Sequence, residues 1–296
     1  MKYTGELAAI ITAVLWSFTS IFFSESAKRI GSIQLNINRL IIASSLLFSA
    51  ILIGGYDYHI SNSQIIFLVC SGFIGLVLGD AFLFKSYIVI GPSFAILLMA
   101  LSPGMSSVLG YIFLGESLSP LTIAGILVTI TGVTIAGTEN KKKEDAKYHL
   151  TFKGIIFGIL SALGQASGLI FAKQAFNIGE INGFVAAFFR VFSSAVIMLP
   201  ILLILKKYKN PVNLFRENQK ALAYTAAGSF TGPFLGITCS LIAVSNTHVG
   251  IAATLMSTMP ILMIPLMWIL YKERPTTRGL IGTIIAVLGV ALLFVK

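Results

Sequence analysis

The chain has 296 residues, 56% hydrophobic and 11% charged, with a formal net charge of +10. A soluble domain carries about 25% charged residues, so too little polar surface remains here to cover a water-soluble body. The composition predicts an all-α integral membrane protein and excludes the nucleic-acid binder that a basic charge would otherwise suggest. The lysines and arginines lie between hydrophobic runs, where they set topology and meet lipid headgroups.

Ten apolar runs approach the roughly 20 residues that cross a bilayer. They cover 5–24, 33–54, 64–88, 92–114, 118–138, 154–176, 182–205, 221–245, 249–271 and 276–295. The first run holds Trp16, has no small-residue cleavage site behind it, and reads as a retained helix. The second holds Arg39 near its start, and the third holds Asp80 in "GLVLGDAFLFK". The fourth contains "MALSPGMSSVLGYIFLGE", with Pro103 early and Glu116 last. A proline would break a helix in a soluble protein. In lipid it is tolerated, because neighbouring helices re-satisfy the freed backbone group. Pro103 therefore marks either a packing kink or a bend beside a substrate cavity.

After the fifth run comes "TENKKKEDAKYHLTFK", Thr138 to Lys153, which is charged and without apolar periodicity. It divides the chain into a five-helix unit at 1–138, a charged linker at 139–153, and a second five-helix unit at 154–296. In the second unit, the first run holds Gln165 and the next holds Arg190. The fourth contains "TLMSTMPILMIPLMWILYKE", with Pro260 and Glu273. Asn246 and His248, at a short turn before it, read as interfacial.

The two units are related. Setting 75–136 against 232–293 at a constant offset of 157 places Gly75 and Gly79 on Gly232 and Gly236. Pro103 falls on Pro260, Glu116 on Glu273, and Gly125 and Gly132 on Gly282 and Gly289. Leucine matches mean little in membrane segments, whereas proline, glutamate and glycine matches in one register mark an internal repeat. Five spans is an odd number, so the second unit enters the membrane from the opposite side. The expected fold is ten transmembrane helices arranged as two inverted five-helix repeats, an architecture typical of secondary transporters. Sixteen of the 21 lysines and arginines lie in or beside the odd-numbered connections. The positive-inside rule then places both termini outside.

With a proline, then a glutamate, then "GILVTITGV" or "GTIIAVLGV" in each half, the chain resembles the EamA-type transporters of the drug/metabolite transporter superfamily. That resemblance covers essentially the whole chain. It implies a multi-pass carrier of small metabolites in the cytoplasmic membrane, often an exporter of amino acids or related compounds, with a central cavity between the repeats. It also implies cytoplasmic termini, opposite to the charge count.

Charged groups at membrane depth are costly and are functional candidates by default. Asp80 has Ile237 as its counterpart at the 157 offset, so one half carries something the other lacks. It can titrate with a coupled proton, pair with a substrate ammonium, or serve as a structural partner of Lys85 or an arginine. Arg39 and Arg190 suit a substrate carboxylate, or helix pairing and snorkelling. Trp16 and Gln165 are the remaining candidates for lining a substrate site, with helix packing the plain alternative for Trp16. Glu116 and Glu273 suit a role in holding the tight turns that follow them. Cys70 and Cys239 each lie inside an apolar run, with no CxxC, so neither a metal nor a cofactor is expected. The expected partners are a small-molecule substrate, membrane lipid and a coupling proton, in a monomer or homodimer. The rival functions are an intramembrane enzyme and a passive channel.

Overall fold

The computed structural model describes residues 3–114, 119–137, 149–246, 255–272 and 276–292. Glu116, Glu273, His248 and most of the charged linker lie outside the described residues. Every regular element among those described is helical. We label them α1 (Thr4–Ile30), α2 (Ser32–Gly54), α3 (Asn62–Ile90), α4 (Pro92–Met99 and Ser102–Leu114), α5 (Pro120–Gly137), α6 (Phe152–Ile178), α7 (Gly183–Ile204), α8 (Gln219–Ala243), α9 (Met259–Tyr271) and α10 (Thr277–Leu292). A short helix, Pro211–Glu217, precedes α8. Seven helices are long and apolar enough to cross a membrane, and Ile123–Ala136, Met259–Tyr271 and Thr277–Leu292 are shorter apolar helices.

Local chemistry explains the joints. Gly31 and Gly91 separate α1 from α2 and α3 from α4, with φ of 83° and 81°. A side chain rarely adopts that conformation, so glycine allows two long helices to meet with a single residue between them. Ser61 and Gln64 form a reciprocal capping box at the start of α3. Large side chains such as Ile53, Phe113, Phe152 and Ile204 stand exposed on the outside. An apolar exterior of this kind fits lipid as its solvent.

Two helices change register partway along. α3 is π-helical over Phe73–Gly79, and α8 is π-helical over Phe230–Gly236. These segments lie 157 residues apart, the offset of the sequence repeat. The breaks recur at the same offset. α4 stops at Met99 and restarts at Ser102, and after the turn at Ser257 and Thr258 the chain enters α9 at Met259. Pro103 and Pro260 are each the second residue of the restarted helix. A first-turn proline gives up no helical hydrogen bond there, so neither proline interrupts a helix interior.

Packing is reciprocal between the halves. α6 lies on α3, where Gly164 and Gly168 meet Gly79 and Gly75 backbone to backbone. α1 lies on α8, where Trp16, Thr19 and Phe23 cover Gly236, Gly232 and Gly228. A methyl group added at any of the three α8 glycines would collide with the covering side chain. Thr19 and Thr231 share a 2.7 Å hydrogen bond across this contact, as do Ser26 and Thr225. α5 and α10 approach closely, with Gly132 against Ala286 and Gly289 against Thr129. Small residues at such crossings let membrane helices associate without a hydrophobic driving force.

Candidate functional site

The site begins at the end of the first π-helical segment, where Asp80 resumes the α-helix. Segments of this kind recur at functional sites. This one also spreads its carbonyls toward neighbouring helices. Asn36 Nδ2 donates to Leu76 O at 3.1 Å and to Val77 O at 3.2 Å. Gln165 Nε2 donates to Gly75 O at 3.2 Å.

Asp80 is 5% exposed and Arg39 is 3% exposed. Arg39 donates through a terminal guanidinium nitrogen to Asp80 Oδ2, forming a buried ion pair. Its other bonds run from Nε to Asn36 Oδ1 at 2.9 Å and from a terminal nitrogen to Leu76 O at 3.2 Å. The guanidinium lies over the ring of Phe84, 4.9 Å from its centroid, with Phe23 at 5.6 Å. Gln165 Nε2 donates to Asp80 Oδ1 at 2.7 Å. Both carboxylate oxygens of Asp80 are thus engaged. This meets the requirement that charges removed from water be paired and hydrogen-bonded.

A cavity of about 440 Å³ opens beside this network. Its wall includes Trp16, Arg39, Asp80, Gln165 and Arg190, so the five candidate binding residues converge on one space although they come from five helices. Pro103 and Pro260 also line it, which puts both helix restarts beside the cavity. Most of the remaining wall is apolar, including Leu83, Ile96, Met99, Leu169, Ile237 and Met256.

Lys85 takes no part in the Asp80 network. It stands near the rings of Phe82 and Phe157, at 5.9 and 5.3 Å from their centroids. Sequence reasoning missed Asn36, which is fully buried and ties Arg39 to the π-helical carbonyls. Its signal was its position three residues before Arg39, the spacing that places two side chains on one helix face. Tyr87 and Lys173, also on the cavity wall, were likewise not singled out.

Arg190 differs from Arg39 in its surroundings. Each is the eighth residue of its helix, counted from Ser32 and from Gly183. Arg190 is 6% exposed, and its Nε has no hydrogen-bond partner. The helix position of Asn36 is taken in α7 by Ala187, and Ile237 follows the second π-helical segment as Asp80 follows the first. The Trp16 side chain covers Gly236, whereas Gly79 meets the α6 backbone at Gly164 and Gln165.

Apolar helices of membrane-spanning length around a buried, charged, cavity-lining centre mark a multi-pass membrane protein. The chain belongs to the EamA-like transporter family, whose model matches residues 3–138 and again 152–295. That family is part of the drug/metabolite transporter superfamily. An uncharacterized transporter of Bacillus subtilis (strain 168), YxxF, is 25% identical over 201 residues. The match covers 67% of this chain and 62% of that relative, so the chain spans under two thirds of the relative's length. One protein crystal structure, 18% identical, superposes with a TM-score of 0.69 over 99% of this chain and 96% of its own. At that identity the likeness is one of fold.

Proposed function

We propose that the protein is a secondary carrier that exports small amphiphilic metabolites, such as amino acids or related compounds, across the cytoplasmic membrane by alternating access. The observation that carries this reading is the cavity. It is lined by residues of both halves and its wall holds Arg39, Asp80 and Arg190 from inside the apolar helices. In this reading the chain crosses the membrane ten times. The units 1–138 and 154–296 are inverted repeats joined by the linker 139–153, and they rock about the cavity. Support comes from the π-helical segments and helix restarts recurring at an offset of 157, and from the reciprocal seating of α1 and α6.

Coupling to protons is a finer part of the same proposal. Asp80 is the carboxylic acid on the cavity wall among the described residues, so a pH gradient would act through it. The pair with Arg39 would have to part during the cycle.

Counterflow into proteoliposomes tests the carrier. With unlabelled solute inside, labelled amino acids and their 2-oxo acids outside should accumulate transiently. An enzyme would return altered label, and a channel would show no trans-stimulation.

A further inference from the structure

The two halves share one architecture but differ in charge at their matching centres. Arg39 has Asn36, Asp80 and, through Asp80, Gln165. At the matching positions Arg190 has Ala187, Ile237 and Trp16, which offer no anion and no side-chain acceptor. Arg190 is nonetheless buried and borders the cavity. Its Nε lacks a hydrogen-bond partner, and its Nη2 lies 3.7 Å from where a Cβ on Gly75 would sit. Among the described residues Arg190 makes no direct ion pair; Asp80, already bonded to Arg39, attracts it only from farther off. One carboxylate between two buried guanidinium groups leaves a positive charge over, which is costly unless something else completes it.

We infer that the transported solute completes it: an organic anion whose carboxylate is received by the Arg190 guanidinium, with its apolar body against Trp16, Ile237, Met99 and Met256. This rests on the carrier reading and names its substrate class. A guanidinium presents a planar fork that matches a carboxylate. Charge balance sharpens the class. The two wall arginines, Arg39 and Arg190, share Asp80 as the carboxylate on the wall among the described residues, and both Asp80 oxygens are already taken. A solute ammonium therefore finds no uncommitted carboxylate. The site fits a monocarboxylate without an ammonium, such as a branched-chain or aromatic 2-oxo acid, better than the corresponding amino acid.

Thermal shift and equilibrium binding on the purified full chain test this. The probes are 4-methyl-2-oxopentanoate, phenylpyruvate, L-leucine, L-phenylalanine and inorganic phosphate, in neutral detergent and in phosphatidylcholine vesicles. Each 2-oxo acid should bind at least tenfold more tightly than its amino acid and should not be displaced by equimolar phosphate. Binding should be lost in Arg190→Gln with the unliganded melting temperature unchanged or raised, because an unpaired buried charge has been removed. It should also be lost in Ile237→Asp, which supplies the missing carboxylate from the protein itself. Trp268→Phe, on the exposed outside of α9, should bind as wild type. Equal or tighter binding of the amino acids, stronger competition by phosphate, retained binding in Arg190→Gln, or a lower melting temperature for that variant each overturns the inference. So does failure of every carboxylate to bind. In that case, counterflow of any other solute leaves the carrier reading standing.

Discussion

Asp80 and Ile237 occupy the same place in the two halves: each resumes the α-helix directly after a seven-residue π-helical segment, 157 residues apart. One is a carboxylate paired to Arg39, and the other is an aliphatic residue of the apolar core that also reaches the cavity. The π-helical segment recurs and the chemistry after it does not. A binding site between two such halves has an ion pair on one side and Arg190 beside apolar residues on the other, which suits an amphiphile.

The Arg39–Asp80 pair sets the first prediction. Asp80→Asn leaves a buried guanidinium without its anion, a change that costs about 3–5 kcal/mol. The variant should melt well below wild type and accumulate poorly, and Arg39→Gln with Asp80→Asn together should recover most of the loss. If the single variant accumulates normally and loses only pH-driven transport, the pair serves proton coupling without being what holds α2 to α3.

Gln165 donates to both Asp80 and the π-helical Gly75 carbonyl. Gln165→Leu removes a hydrogen bond to a charged group, worth about 1.5–3 kcal/mol. The melting temperature should fall by less than in Asp80→Asn, and Gln165→Glu should not rescue it, because a second carboxylate would face Asp80.

The close crossing of α5 and α10 gives a packing prediction. A side chain at Gly132 or Gly289 would collide with the Ala286 or Thr129 backbone. Overpacking typically costs about 1–3 kcal/mol, so Gly132→Val and Gly289→Val should each lower the melting temperature. Leu127→Val, on the exposed side of α5, should leave it within error.

The proposed inversion of the two units predicts a labelling pattern that is independent of absolute orientation. Asp57 lies in the α2–α3 connection and Lys207 in the α7–α8 connection, matching places in the two halves. With Cys70 and Cys239 replaced by serine, an impermeant maleimide on intact cells should label one of Asp57→Cys and Lys207→Cys and not the other. The lysine and arginine skew predicts that Asp57→Cys is labelled. Labelling of both would remove the inverted repeat.

Much of this was legible in the sequence, for identifiable reasons. Pro103 and Pro260 kept one register with their neighbouring glycines, and a register match among rare residues survives the low information of apolar spans. The first run was read as ending near residue 24, yet α1 continues to Ile30. Glu25 bonds Lys28 at 2.7 Å and lies 3.6 Å from Arg29, and such pairs at three and four residues sustain a helix beyond its apolar part. An arginine was one of the two partners the sequence offered for Asp80, and the structure bears it out, but which arginine was not legible, because Arg39 is 41 residues away. The π-helical segments were also invisible, since their identity lies in hydrogen-bond register, which residue type does not report. The orphaned Nε of Arg190 could be seen only once Ala187 and Ile237 stood where Asn36 and Asp80 stand in the other half.

Sided access to the cavity tests the account most directly. Ser106 lines the cavity and its hydroxyl is buried without a partner. Ser106→Cys, in a chain otherwise free of cysteine, would be exposed to an impermeant thiol reagent in right-side-out and in inside-out vesicles. Alternating access predicts modification from both sides, with 4-methyl-2-oxopentanoate slowing both rates. Modification from one side only, at a rate unchanged by any solute gradient, would contradict it.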